Sequence, residues 1–142
     1  MGNTSEQYDQ VIQVCQDLFA KKAKDYGTAW RILRTPSLTD QIYIKANRIR
    51  SIQEKGESKI AEGIIPEFIG IVNYSVMALI QLEVGVATGA EDLEMAPERA
   101  VELYNKYIYA AKKLMMDKNH DYDEAWRQMR ISSIDDIILM KI

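Results

Sequence analysis

Cysteine pairs, long uncharged apolar runs and nucleotide-fold fingerprints are all missing from this sequence. A single cysteine, Cys15, excludes an intrachain disulfide and any cysteine-based zinc site. No run of 18 uncharged apolar residues exists, so no membrane span is expected. The polar start Met1-Gly2-Asn3-Thr4 lacks the apolar core of a signal peptide, and a cytoplasmic protein is the default expectation. No P-loop, dinucleotide fingerprint or Ser-His-Asp arrangement is present. An excess of one charge is missing too. Against 21 Asp and Glu stand 18 Lys and Arg, a net of −3, which carries no direct nucleic-acid signature. Glycine (7) and proline (3) are few, so long helices are expected. What remains is a soluble globular profile, 47% hydrophobic and 27% charged, the size of a single domain over residues 1–142.

The strongest positive feature is a repeat. Asp25-Tyr26-Gly27-Thr28-Ala29-Trp30-Arg31 returns 96 residues later as Asp121-Tyr122-Asp123-Glu124-Ala125-Trp126-Arg127. From Asp25 to Ala46, ten of 22 positions are identical at that offset. Upstream, Tyr8, Ile12, Cys15, Leu18 and Phe19 meet Tyr104, Ile108, Ala111, Leu114 and Met115, both sets at helical period. The pattern predicts an internal duplication of a helix–turn–helix unit. Unit one spans about 4–87, a linker about 88–96, and unit two about 97–142, without a counterpart of residues 47–83.

Thr4-x-x-Gln7 reads as a capping box opening a helix to about Lys24, stopped by Gly27. A short turn over 28–33 carries Trp30, and Pro36 breaks the chain. Ser37-x-x-Asp40 resembles a second capping box, opening a helix to about Lys55 with the apolar face Leu38, Ile42, Ala46, Ile49 and Ile52. Pro66 suits the start of a helix to about Val86, apolar nearly all round and so expected at the centre. On it Glu67, Gly70, Tyr74 and Gln81 share a narrow stripe, with Asn73 beside it. Pro97 opens a helix to about Asp117, and a last helix starts at Ser133. With no alternating strand pattern, the fold class is all-α, a bundle of four or five main helices.

Three groups of residues are candidates for chemistry. Lys22, Lys24, Asp25, Tyr26, Trp30, Arg31 and Arg34 place cations, a carboxylate and aromatics within three turns, the parts of a phosphate-and-base site. The alternative is packing, with Asp25 as a cap and Trp30 and Trp126 as equivalent core anchors. Asp40, Lys45 and Arg48 lie along one helix and would hold a metal–phosphate group, or form a solvated face. The third group is Glu62, Glu67 and Asn73 with Tyr74; a carboxylate and an amide inside an apolar helix need partners, since an unpaired buried polar group costs about 1–3 kcal/mol. Lys45 or Arg48 would pair Glu67; carboxylates on two helices would alternatively hold Mg²⁺. Cys15 reads as a small core residue, and His120 as a surface residue beside Asp121.

Taken in order, Lys-x-Lys-Asp-Tyr-Gly-x-x-Trp, then Asp40 with Lys45-x-x-Arg48, then Ile71-Val72-Asn73-Tyr74 resembles the nucleotide modification associated domain family, first type. The resemblance covers about residues 12–83, and its first half again about 108–142. The family order is Lys-x-x-Asp-Tyr-Gly, Lys-x-x-Arg and Leu-x-Asp-x-x-Asn-Tyr. Asp25, Tyr26, Gly27, Lys45, Arg48, Asn73 and Tyr74 match it, while the aspartate three before Asn-Tyr is Gly70 here. More distantly the pattern is similar to all-α nucleotide pyrophosphohydrolases of the MazG and dimeric-dUTPase type. Those bind Mg²⁺ through Glu and Asp on two helices and cleave nucleoside triphosphates to monophosphates.

The resemblance implies a protein of nucleotide metabolism or modification that binds a nucleotide or a phosphorylated small molecule. The implied ligand residues are Lys24, Asp25, Tyr26, Trp30, Lys45, Arg48, Asn73 and Tyr74, with Mg²⁺ at Glu67 and Asp40. Lys45 and Arg48 would hold phosphates and Tyr26 or Trp30 the base. Pyrophosphohydrolase activity would follow from a complete metal site. Gly70, at the position of a metal ligand, favours instead a non-catalytic helical interaction module. The apolar end Ile137-Ile138-Leu139-Met140-Lys141-Ile142 is expected to be covered by a second copy in a homodimer, unless the chain is a truncation.

Overall fold

Helical period and cap chemistry place most of the elements within a few residues. The computed structural model describes residues 3–56, 63–89 and 95–142. Among them are five α-helices, two 3-10 turns and no strand. The helices are α1 (Thr4–Tyr26), α2 (Thr35–Lys55), α3 (Ile65–Val84), α4 (Pro97–Tyr122) and α5 (Ile131–Lys141). The turns are Ala29–Ile32, between α1 and α2, and Ala125–Gln128, between α4 and α5.

The helix starts differ from expectation for local reasons. The N-cap of α1 is Asn3, whose side chain accepts from the Glu6 amide at 3.2 Å. Asparagine is a strong N-cap, and the supposed box residues are drawn elsewhere. Thr4 bonds Glu124, and Gln7 accepts from Arg127 at 2.6 Å. At α2, Pro36 does not precede the helix but sits inside its first turn, where the missing N–H costs nothing. The Ser37–Asp40 box is therefore not a cap. At the other end of its range α4 outruns expectation, reaching Tyr122.

The two repeats share one backbone path at their turns. Gly27 ends α1 at φ 71°, ψ −161°, and Asp123 ends α4 at φ 61°, ψ −167°. The next residues, Thr28 and Glu124, have φ/ψ of −111°/45° and −112°/45°. Equivalent helices then pack on each other. α1 lies against α4, running antiparallel, with Lys112 at 2.8 Å from Asp9 and Gln16 bonded to Asn105. α2 lies against α5, where Ile138 and Leu139 pack on Ala46 and Ile49.

α3 is the odd element. It rests mainly on α2 and touches α1 and α4. It joins both cores: Val76 and Ile80 meet Phe19, Leu103 and Tyr104 in one, and Ile71 meets Ala46 and Ile49 in the other. Yet it is not enclosed all round as its composition suggests. Ile65, Leu79 and Leu82 are exposed, because no helix among the described residues covers that side. With a mean hydropathy of 1.4, it is also the one described helix long and apolar enough, by length and composition, to cross a membrane. The uncharged-run criterion misses it because Glu67 and Glu83 lie near its ends. Here its buried polar groups tie it into the bundle. Gln81 donates to Arg31 O and Leu33 O, both at 2.7 Å, and Arg31 returns bonds to Gln81 and to Gly85 O.

Candidate functional site

The helix α1 presents Leu18, Phe19, Lys22 and Ala23 along one face, toward α3. Residues three and four apart share a helix face, so this row follows from the spacing alone. α3 presents Pro66, Gly70, Asn73, Tyr74 and Met77 back toward it. Between them, with Gly27, Trp30 and Lys45, lies a cleft of 290 Å³, the small end of the usual ligand range of about 300–1,000 Å³.

Lys45 forms the cationic wall. Its ammonium is 3.4 Å from Glu67 and 5.9 Å from the centre of the Tyr74 ring. Its aliphatic stem crosses α3 at Gly70. A Cβ added there would lie 2.2 Å from Lys45 Cδ and 2.4 Å from Cε, so glycine is what lets the lysine lie flat. Arg48 approaches Glu67 from the more exposed side at 3.8 Å. Both expected cationic partners of Glu67 are thus in place.

Asn73 forms the cleft floor and is already engaged. It donates to Cys15 O at 3.1 Å and accepts from the Tyr104 hydroxyl at 2.7 Å. It therefore pins α3 to α1 and α4 at once. Burial raises the pKa of the Tyr104 hydroxyl, which keeps it protonated as that donor. Burial likewise raises the Cys15 thiol, consistent with a core residue. Trp30 closes one end of the cleft and packs on Phe19, ring centres 6.0 Å apart.

Of the ligand residues expected from sequence, Trp30, Lys45, Asn73 and Tyr74 line the cleft, and Arg48 borders it through Glu67. Lys24, Asp25 and Tyr26 do not; all three are exposed, Tyr26 by 79%. Lys24 follows Lys22 by two residues, about 200° around the helix, so only one of the two can face α3. The lysine of Lys-x-x-Asp-Tyr-Gly falls on Lys22, the residue the cleft uses; its place one turn after Leu18 was the signal. Trp126 is not a core anchor like Trp30. It is 39% exposed and donates to Asn119 at 3.1 Å. His120 is exposed beside Asp121, as expected.

The two expected Mg²⁺ residues stand in different surroundings. Glu67 faces two cations, and Asp40 is exposed on α2 and outside the cleft lining. No three His, Cys, Asp or Glu side chains gather among the described residues. Glu62 lies outside those residues.

The fold is a helical bundle with a small cleft lined by cations and aromatic rings. Residues 22–82 and 118–142 match the model of nucleotide modification associated domain 1, and the chain belongs to that family. The two matched stretches start 96 residues apart, the repeat offset. No curated protein and no solved structure is significantly similar to it.

Proposed function

We propose that the cleft between α1 and α3 binds a nucleotide or a similar phosphorylated small molecule. One observation carries the reading: two lysines and two aromatic rings, Lys22, Lys45, Trp30 and Tyr74, line one cleft in a chain of this family. Ammonium groups make strong charge-assisted bonds to phosphate oxygens. Trp30 and Tyr74 offer flat surfaces to a base. The ligand phosphate competes with Glu67 for Lys45, and Arg48, on the open side, neutralises the carboxylate that is released.

The same geometry favours binding over Mg²⁺-dependent hydrolysis. The stem of Lys45 fills the space beside position 70, and Glu67 is committed to cations. These residues do not fit a divalent cation, and no chemical step is assigned to one.

Calorimetry with canonical and modified deoxynucleotides, from nucleoside to triphosphate, tests this reading. Phosphorylated members bind and nucleosides do not. Affinity in EDTA stays within about threefold of that in Mg²⁺, and Lys45→Ala weakens it about tenfold, or about 1.4 kcal/mol. Absence of both heat and thermal stabilisation across the whole panel sinks the proposal.

A further inference from the structure

The cleft wall on α1 has a twin on α4. Leu18, Phe19, Lys22 and Trp30 correspond, at the repeat offset, to Leu114, Met115, Lys118 and Trp126. These four, with Ala111 and Asn119, line a second concavity of 480 Å³. In the first, α3 lies across the wall, and Asn73 donates to Cys15 O. In the second, no described element does so.

Three observations show what the open groove lacks. Leu114 is 58% exposed, and Trp126, unlike Trp30, faces solvent. Asn119 Nδ2 is shut off from solvent without a partner. Arg31 spends its bonds on Gln81 of α3 and on Gly85, which caps that helix, whereas Arg127 turns back to Glu124, Thr4 and Gln7.

We propose that the α4 groove is a docking site for an apolar α-helix of the α3 pattern, presented by another polypeptide. The internal template states the chemistry of the occupant. An asparagine donates to Ala111 O, as Asn73 donates to Cys15 O. A backbone or side-chain acceptor satisfies Asn119 Nδ2. Helix-in-groove recognition of this kind reads anchors at i, i+3, i+4 and i+7, and Gly70, Asn73, Tyr74 and Met77 have that spacing.

A synthetic peptide of residues 64–86, lengthened with terminal lysines for solubility, is the probe. It is titrated into the full chain carrying Trp30→Phe, so that Trp126 is the only tryptophan. Saturable binding with a blue shift of Trp126 emission is expected, confirmed by calorimetry on the unsubstituted chain. Leu114→Asp, at an exposed position that leaves folding intact by circular dichroism, weakens binding at least tenfold. A peptide with Asn73→Ala binds more weakly than its parent. No saturable response, or an equal response in Leu114→Asp, overturns the proposal. Light scattering adds one more arm. A dimer that the peptide dissociates supports the groove as a helix site. A dimer lost in Leu114→Asp but untouched by the peptide means the groove pairs with itself, and overturns it.

Discussion

The two repeats begin from nearly the same residues and end in different environments. In unit one α3 lies on the shared helix–turn–helix, and Phe19, Trp30 and Arg31 become buried or half-buried. In unit two no described helix does this, and Met115, Trp126 and Arg127 stay closer to solvent. The backbone of the two turns is nonetheless the same within about ten degrees at the first residues. Local sequence therefore sets the turn, and an added helix sets its burial. The same tryptophan serves as a wall of a cleft in one place and as an exposed ring beside Arg127 in the other.

Paired substitutions test that contrast most directly. The largest gap is expected between Phe19→Ala and Met115→Ala. Phe19 is 2% exposed in the core, so its loss should cost about 3–5 kcal/mol in urea unfolding, against about 1 kcal/mol for its half-buried twin. Equal costs would break the comparison. Next comes Arg31→Ala against Arg127→Ala. The first leaves Gln81 Oε1 and Gly85 O without their partner, about 2–3 kcal/mol; the second loses a partly buried bond to Thr4 and exposed ones to Gln7 and Glu124, about 1 kcal/mol.

Gly27 and Asp123 sharpen the backbone side of the argument. Both sit at positive φ with extended ψ, a region that is costly for any residue with a Cβ by about 1–3 kcal/mol. Asp123→Gly should stabilise by about 1 kcal/mol and Gly27→Ala should destabilise by a similar amount, both read by thermal melts. In ligand binding, Lys45→Ala should lose affinity about tenfold while its exposed twin Lys141→Ala loses none. Matching losses would place the ligand elsewhere.

The smallest effect concerns Asp135, the twin of Thr39. Thr39 is exposed and bonds Thr35 O, but Asp135 is fully buried with neither carboxylate oxygen partnered. Burial, and then the neighbouring Asp136, raise its pKa, against a smaller opposing pull from Arg50. A raised folded pKa means the native state binds the extra proton. Stability from this residue is therefore greatest at acid pH. It declines as pH rises from the ordinary carboxylate range through the raised folded value, and then levels off. Asp135→Asn should raise the melting temperature at pH 7 and flatten that pH dependence. A variant less stable at pH 7 than at pH 4 by the same margin as the parent would refute this.

Much of the cleft was legible in the sequence, for identifiable reasons. Glu67 inside an apolar helix demands cations, and Lys45 and Arg48 one helix earlier supply them. Asn73 needs partners for the same reason, and finds Cys15 O and Tyr104. Lys24, Asp25 and Tyr26 fall outside the cleft because a motif contiguous in sequence winds around the whole helix, and of its two lysines only Lys22 lines the cleft. The different fates of Trp30 and Trp126 were invisible, since the residues around them are so alike.

Sequence alone determined the helices, their order, the repeated turn and the family. Each follows from neighbours within a few positions: the helical period, a glycine at positive φ, a proline in a first turn. Tertiary structure decided which copy of the repeat α3 would join. With that it decided which tryptophan is sheltered, which arginine is buried and where two lysines meet two aromatic rings. Burial depends on which distant segment arrives at a surface, and two surfaces of nearly the same sequence differ once a third helix lies on only one of them.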